Sequence, residues 1–231
     1  MEGKFTNWSA ENATKAYLKT LKMGVKKPTE PDVSEFISAI AAGNDAQLMV
    51  VACGEGTSPT TLLALVAAAH QTRGRVICIF DCLNKLQSIK QSLSQDTINI
   101  IEFVVGDIER LILQDYKEAD FVLNDCKLKN HESILVAMQS CSGSKCKGGI
   151  VLGCNAFCSN SWEWAGVKTQ LLPIGEGLLV TKIAGANEKR ERGRSSSFGR
   201  KSHWVVKVDQ NTGEEHVFRV RCSNNGKEID D

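Results

Sequence analysis

Long hydrophobic runs are missing from this 231-residue sequence. The longest, Leu62 to Ala69, falls far short of the roughly 18 apolar residues that a membrane-spanning helix needs. The polar start of the chain also lacks the pattern of a secretory signal. The expectation is a soluble, unsecreted, cytoplasmic protein. Charge of one sign is missing too: 28 Lys and Arg stand against 27 Asp and Glu, a formal net charge of +1. The molecule as a whole therefore carries no electrostatic footprint for nucleic acid. Nine cysteines are many for this length, but an odd number cannot all pair, and a reducing compartment leaves thiols free. The spacings Cys141-x4-Cys146 and Cys154-x3-Cys158 invite a zinc reading but miss the usual ribbon pattern. The plainer reading is small, partly buried hydrophobes. What is present, 42% hydrophobic residues, supplies the core of one large domain with appendages.

Along the chain, Ser9 suits an N-cap, and Ala13, Ala16, Tyr17, Thr20 and Leu21 recur at helical spacing. A second helix, with Pro31 in its first turn and Val33, Phe36, Ile37, Ile40 and Ala41 on one face, stops at Gly43. These N-terminal helices, residues 1–44, are expected to pack on the core. From Leu48 the rhythm changes to short continuous apolar runs of the kind a strand buried on both faces requires. Strands are expected at Leu48 to Ala52, Val76 to Phe80, Ile98 to Val105, Phe121 to Leu123 and Gly149 to Leu152. Helices are expected between them near Leu62 to Ala69, Leu83 to Leu93, Ile108 to Leu113 and Glu132 to Ser140. Repeated βα units mean a mostly parallel sheet.

After Gly166 two extended runs, Val167 to Leu172 and Leu178 to Ile183, are joined by only five residues, which permits antiparallel pairing alone. The fold class is thus α/β: a Rossmann-like, mostly parallel seven-stranded sheet over residues 45–183 that ends in an antiparallel hairpin. Residues 184–202 hold glycine, serine and charge and read as a mobile basic segment. A further hairpin, residues 203–221, pairs Trp204 to Val208 with Glu215 to Val220, and residues 222–231 form a polar tail.

In an open α/β sheet, ligands bind beyond the carboxyl ends of the strands at the switch point. The turn Cys53-Gly54-Glu55-Gly56-Thr57-Ser58 occupies that position, and its glycines let a cofactor approach the backbone. Asp81 ends the second strand, where acids accept ribose hydroxyls, and Asp107 ends the third, within reach of an adenine amino group. The plain alternative is that the glycines serve the turn and the aspartates cap helices. The third glycine of a nicotinamide fingerprint is replaced by Pro59, which disfavours a pyrophosphate and an NAD-dependent reductase.

This order of motifs resembles the class I S-adenosylmethionine-dependent methyltransferases from Val50 to about Ile183. Gln170 to Gly177 and Phe121 to Asp125 are locally similar to the cation-dependent caffeoyl-CoA O-methyltransferase group. Over the whole chain, including Trp8-Ser9, Ser202-His203-Trp204 and Gly213 to Phe218, the closer resemblance is to a plant family of uncharacterised methyltransferase-like proteins. The resemblance implies S-adenosylmethionine as cofactor. In the cation-dependent group an aspartate after the fourth strand and an Asp-Asn pair after the fifth hold a divalent ion. Asp125 matches the first and Asn155 the last, but Cys154 stands in the middle, a soft thiol where a hard cation wants a carboxylate. No metal is therefore expected, and Asp125 and Asn155 remain candidates for the acceptor side.

No histidine among His70, His131, His203 and His216 makes a convincing general base, and Lys127 and Lys129 read as solvated loop charges. Residues 189–201 carry six basic side chains against Glu191 alone. That run is a candidate surface for an acidic protein partner or an import receptor to the nucleus, and less so for nucleic acid. Ser195 to Ser197 behind Arg192 and Arg194 resemble a kinase target. Two functions stay open. One is a methyltransferase acting on a small-molecule or other acceptor without a catalytic metal; the other is a non-catalytic interaction or regulatory module on the same fold.

Overall fold

The computed structural model describes residues 8–23, 32–54, 57–140, 149–158, 169–183, 202–208 and 215–221. Glu55, Gly56, Pro31, the cysteines Cys141 and Cys146, the basic run 189–201 and the tail 222–231 lie outside the described residues. Two compact units divide the chain, residues 1–187 and 188–231.

In the first unit the elements follow the order α1 (Ala10–Met23), α2 (Val33–Gly43), β1 (Leu48–Cys53), α3 (Pro59–Thr72), β2 (Arg75–Phe80), α4 (Leu83–Gln91) and α5 (Gln95–Ile100). They continue with β3 (Ile101–Val105), α6 (Ile108–Gln114), β4 (Phe121–Asp125), α7 (His131–Ser140), β5 (Gly149–Cys154), β6 (Thr169–Leu172) and β7 (Leu178–Ile183). The seven strands form one sheet in the order β3-β2-β1-β4-β5-β7-β6. The pairs from β3 to β5 are parallel, whereas β7 runs antiparallel to both β5 and β6. The five-residue link Pro173 to Gly177 is too short for a crossover and enforces that reversal.

Strand side chains alternate between two apolar layers. Met49, Val51, Cys53, Val76, Cys78, Phe80, Phe121 and Leu123 join Leu62, Leu65 and Leu86 of the helices on one face. Val50, Ala52, Ile77, Ile79 and Val122 join Ile108, Ile112, Ile134 and Leu135 of α6 and α7 on the other. Because both faces are covered, the strands are apolar at nearly every position rather than at alternate ones. α3 is buried almost all round, from Leu62 through Ala69, since the sheet lies on one side of it and α1 and α2 supply Ala16, Ile37 and Ala41 to the same cluster. A helix wrapped on both sides needs no polar face.

The helix starts obey local chemistry. Ser9 Oγ accepts the Asn12 N–H at 3.2 Å, and Ser58 Oγ accepts that of Thr60 at 3.3 Å, with Pro59 in the first turn. α2 begins at Val33, where Asp32 and Glu35 form a reciprocal capping box. A second correction concerns β3, which starts at Ile101 rather than Ile98. Ser94 caps the preceding residues by accepting the Thr97 N–H, so Gln95–Ile100 form the short helix α5. The second unit contains β8 (Ser202–Val208) and β9 (Glu215–Arg221), an antiparallel pair. Ser202 thus opens a strand instead of closing the basic segment. Among the described residues no helix is long and apolar enough to cross a membrane.

The tip of the β6–β7 hairpin meets α2. Gly175 has φ +54°, and a β-carbon there would stand 2.5 Å from Val33 Cγ2. Gly175→Ala is expected to cost about 1–3 kcal/mol through its left-handed backbone and that contact. Urea unfolding checks it, and an unchanged midpoint would show that the tip does not need glycine.

Candidate functional site

The carboxyl ends of five neighbouring strands carry the polar residues singled out by the sequence. Following the sheet order, these are Asp107 after β3, Asp81 after β2, Cys53 and Gly54 at β1, Asp125 ending β4, and Cys154 with Asn155 at β5. Parallel neighbours lie about 4.8 Å apart, so β3 and β1 are separated by roughly 10 Å. The strand order reverses between β1 and β4, the position at which such sheets leave a crevice.

The turn after β1 is held from within. Thr57 Oγ1 accepts the Gly54 N–H at 2.9 Å, and the Thr57 N–H returns to the Gly54 carbonyl at 3.3 Å. Gly54 is required for a steric reason: a β-carbon would stand 2.7 Å from Asp125 Oδ2 and 3.1 Å from Leu128 Cγ. The structure therefore brings Gly54, Asp125 and Asn155 together. Asp125 is 1% exposed, and its Oδ1 accepts the Lys127 N–H at 3.0 Å and the Asn155 Nδ2–H at 2.8 Å. Asn155 adopts φ +59° to reach it, a backbone that asparagine tolerates better than most residues. Its carbonyl in turn accepts the Cys158 N–H at 3.2 Å. The two candidate acceptor-side residues are thus bonded directly to each other.

Asp81 and Asp107 stand apart from that cluster. Asp81 is exposed, and the Lys85 ammonium, 2.8 Å from its Oδ2, holds its carboxyl below the ordinary value. Asp107 is exposed and caps α6, its Oδ1 accepting the Arg110 N–H at 2.8 Å. The plain alternative for this aspartate, a helix cap, is thus met. Capping occupies one of its oxygens.

Sequence reasoning missed Leu83. Its spacing to Leu86 places it on the inner face of α4, yet it is 61% exposed while Leu86 is buried. It follows Asp81-Cys82 at the carboxyl edge of the sheet. A large apolar side chain held in solvent beside an acid at a strand end offers a flat ligand a platform. The only sequence signal was its position two residues after Asp81. Also missed were two buried polar atoms, Asn124 Oδ1 and His131 Nε2, which have no hydrogen-bond partner among the described residues. His131 Nδ1 lies 2.8 Å from the Leu128 carbonyl and therefore donates to it, leaving Nε2 as the bare acceptor. Lys127 and Lys129 are exposed loop residues.

Three thiols at this edge are made less acidic by their surroundings. Burial, with the Asp125 charge and then Cys158 adding to it, pushes Cys126 up to about 12. The same causes in the same order, burial and then Asp125, raise Cys154 further. Burial, followed by the neighbouring Cys78, raises Cys53. Cys154 Sγ donates to the Asn124 carbonyl at 3.4 Å. Among the described residues no three His, Cys, Asp or Glu side chains converge as metal ligands.

Solved structures share this fold. A methyltransferase from Geobacter sulfurreducens matches with a TM-score of 0.51 at 19% identity, over 76% of this chain and 90% of its own. A putative caffeoyl-CoA O-methyltransferase from Staphylococcus aureus gives 0.51 at 12% identity, over 76% and 93%. The methyltransferase PaMTH1 from Podospora anserina, solved with bound S-adenosylhomocysteine, gives 0.50 at 11% identity, over 78% and 91%. The chain thus has the Rossmann-like methyltransferase fold. No curated protein sequence matches it. The family model described as "Protein of unknown function (DUF1442)" matches residues 5–220.

Iodoacetamide at about pH 8 is expected to label exposed Cys158 in the native protein and to spare Cys53, Cys126 and Cys154 until urea is added. A thiol whose value is raised on folding binds its proton more tightly in the native state. Its contribution to stability is present below the usual thiol value of 9.0 and is lost as pH rises through about 12 for Cys126. Native labelling of Cys126 as fast as Cys158 would contradict the burial.

Proposed function

The chain belongs to the DUF1442 family, and from the site just described we propose that it binds S-adenosylmethionine across the carboxyl ends of β3, β2 and β1. The acceptor side lies at β4 and β5. The observation that carries the reading is the row of acids Asp107, Asp81 and Asp125 on successive strand ends flanking the Gly54 turn. Carboxylates suit a cofactor that carries a sulfonium and an ammonium, and they repel a pyrophosphate. The fold's use with this cofactor is supported by the S-adenosylhomocysteine bound in the Podospora methyltransferase.

In this reading the turn of Cys53, Gly54, Glu55, Gly56, Thr57 and Ser58 cradles the cofactor's amino-acid end, with Glu55 and Gly56 assigned on sequence alone. Asp81 accepts ribose hydroxyls, Leu83 lies against the base, and Asp107 receives the adenine amino group through the oxygen not used in capping. The half-exposed Asp81 carboxylate, with Lys85 holding it charged, fits a diol well. When bound, S-adenosylmethionine supplies an electrophilic methyl group. The contribution of the protein is to align an acceptor oxygen or nitrogen with it, an effect of proximity and orientation. Asp125 and Asn155, locked together by their hydrogen bond, form the wall on the acceptor side.

A divalent ion is not part of this proposal. The Asn155 amide turns its nitrogen toward Asp125, and the third position of the set is the protonated Cys154 thiol, a poor partner for a hard cation. Methyl transfer, where present, is expected to persist in excess EDTA, and Cys154→Asp is the change best suited to create magnesium binding. Activity lost on chelation and restored by magnesium would overturn the metal-free reading.

Calorimetric titration tests the cofactor directly. S-Adenosylhomocysteine should bind and NADH should not, and Asp81→Ala should weaken binding roughly tenfold by removing a charged hydrogen bond. Absence of S-adenosylhomocysteine binding at about millimolar concentration would sink the proposal, and NADH binding alone would favour the reductase. Cofactor binding without methyl transfer to any acceptor would favour the non-catalytic module on the same fold.

A further inference from the structure

The β8–β9 hairpin belongs to the second unit, residues 188–231. Its register places Ser202 opposite Arg221, Trp204 opposite Arg219, Val206 opposite Val217 and Val208 opposite Glu215. Directly paired residues in an antiparallel sheet share a face, so Trp204, Arg219 and Arg221 occupy one face. His203, Val205, Lys207, His216, Phe218 and Val220 occupy the other. Arg219 and Arg221 are two residues apart on one strand, about 6.8 Å along it, a spacing comparable to that of successive phosphates in an extended nucleic-acid strand. The tryptophan lies across the sheet from the first of them.

Charge is distributed along the hairpin as well as across it. In the sequence Arg200 and Lys201 directly precede β8 and Arg221 ends β9. Asp209 and Glu214 fall between the two strands in the sequence, and Glu215 opens β9. From Lys189 to Arg221 the sequence holds nine basic residues against four acidic ones. The near-neutral whole chain conceals this local excess.

We propose that the Trp204 face of this hairpin binds single-stranded nucleic acid, Trp204 stacking on a base while Arg219 and Arg221 engage consecutive phosphates. Aromatic platforms beside cations are how proteins hold single strands without reading their sequence. An acidic protein segment would be served by the charges alone and would have no use for a tryptophan in register with an arginine. A duplex, whose bases are stacked inside, would leave Trp204 without a partner.

Fluorescence anisotropy of the full-length protein with a labelled oligouridine of about 12 nucleotides tests the idea, with a duplex of equal length and polyglutamate as competitors. The oligouridine is expected to bind and to resist both competitors at equal charge. Trp204→Ala should weaken binding at least fivefold and Trp204→Phe should restore most of it, since base stacking is the interaction removed. Arg219→Ala should lower the slope of log affinity against log salt by about 0.7. His203→Ala, on the opposite face, should bind as the parent does. Circular dichroism and S-adenosylhomocysteine titration of each variant separate loss of the hairpin from loss of the whole fold. Absence of oligouridine binding at roughly 50 mM salt, equal displacement by polyglutamate, or a Trp204→Ala variant that binds like the parent would each overturn the proposal.

Discussion

One buried carboxylate organises the carboxyl edge of this sheet. Asp125 sits at the end of β4, 1% exposed, and a charge so placed is tolerable only with hydrogen-bond donors directed at it. Lys127 and Asn155 supply two of them. To donate, Asn155 takes a left-handed backbone, which starts the short helical turn Ala156–Cys158. On the other side, the carboxylate leaves no room for a side chain at position 54. The same charge, together with burial, keeps Cys126 and Cys154 protonated. Asp125 thus couples β1, β4 and β5 into one rigid corner at the switch point.

The acids on the other strands play a different part. Asp81 and Asp107 are exposed at the same edge, Asp81 beside the Lys85 ammonium and Asp107 accepting the Arg110 N–H. Two residues after Asp81, at the start of α4, Leu83 is an apolar side chain held in water. An inward carboxylate, two outward carboxylates and an exposed leucine thus share the carboxyl edge of the sheet.

The outer layer is held by apolar packing. α3 is apolar on all sides because α1 and α2 cover the face that the sheet does not. The β6–β7 turn, with Gly175 against Val33, ties the last strands of the sheet to the first turn of α2. Residues far apart in sequence thereby brace the β5 end of the sheet. Gly177 completes the brace, its carbonyl accepting the Ala156 N–H at 3.1 Å.

Much of this was written locally. Continuous apolar runs announced strands buried on both faces, Ser58-Pro59 announced a helix start, and a five-residue link announced an antiparallel hairpin; each depends on neighbours in sequence and needs no knowledge of the rest. The acids at the strand ends were legible for the same reason, since a strand end is a local event. One local signal was overlooked: the start of α5 at Gln95 turned on the Ser94 cap overriding an apolar run. The rest of what the sequence could not reveal depended on partners far along the chain. Leu83 followed helical spacing, yet the fold left it in solvent. The bond between Asp125 and Asn155, thirty positions apart, exists because β4 and β5 are neighbours in the sheet. Periodicity reports which face a residue prefers, but whether anything covers that face, and which polar atoms meet there, is decided only when the strands are laid side by side.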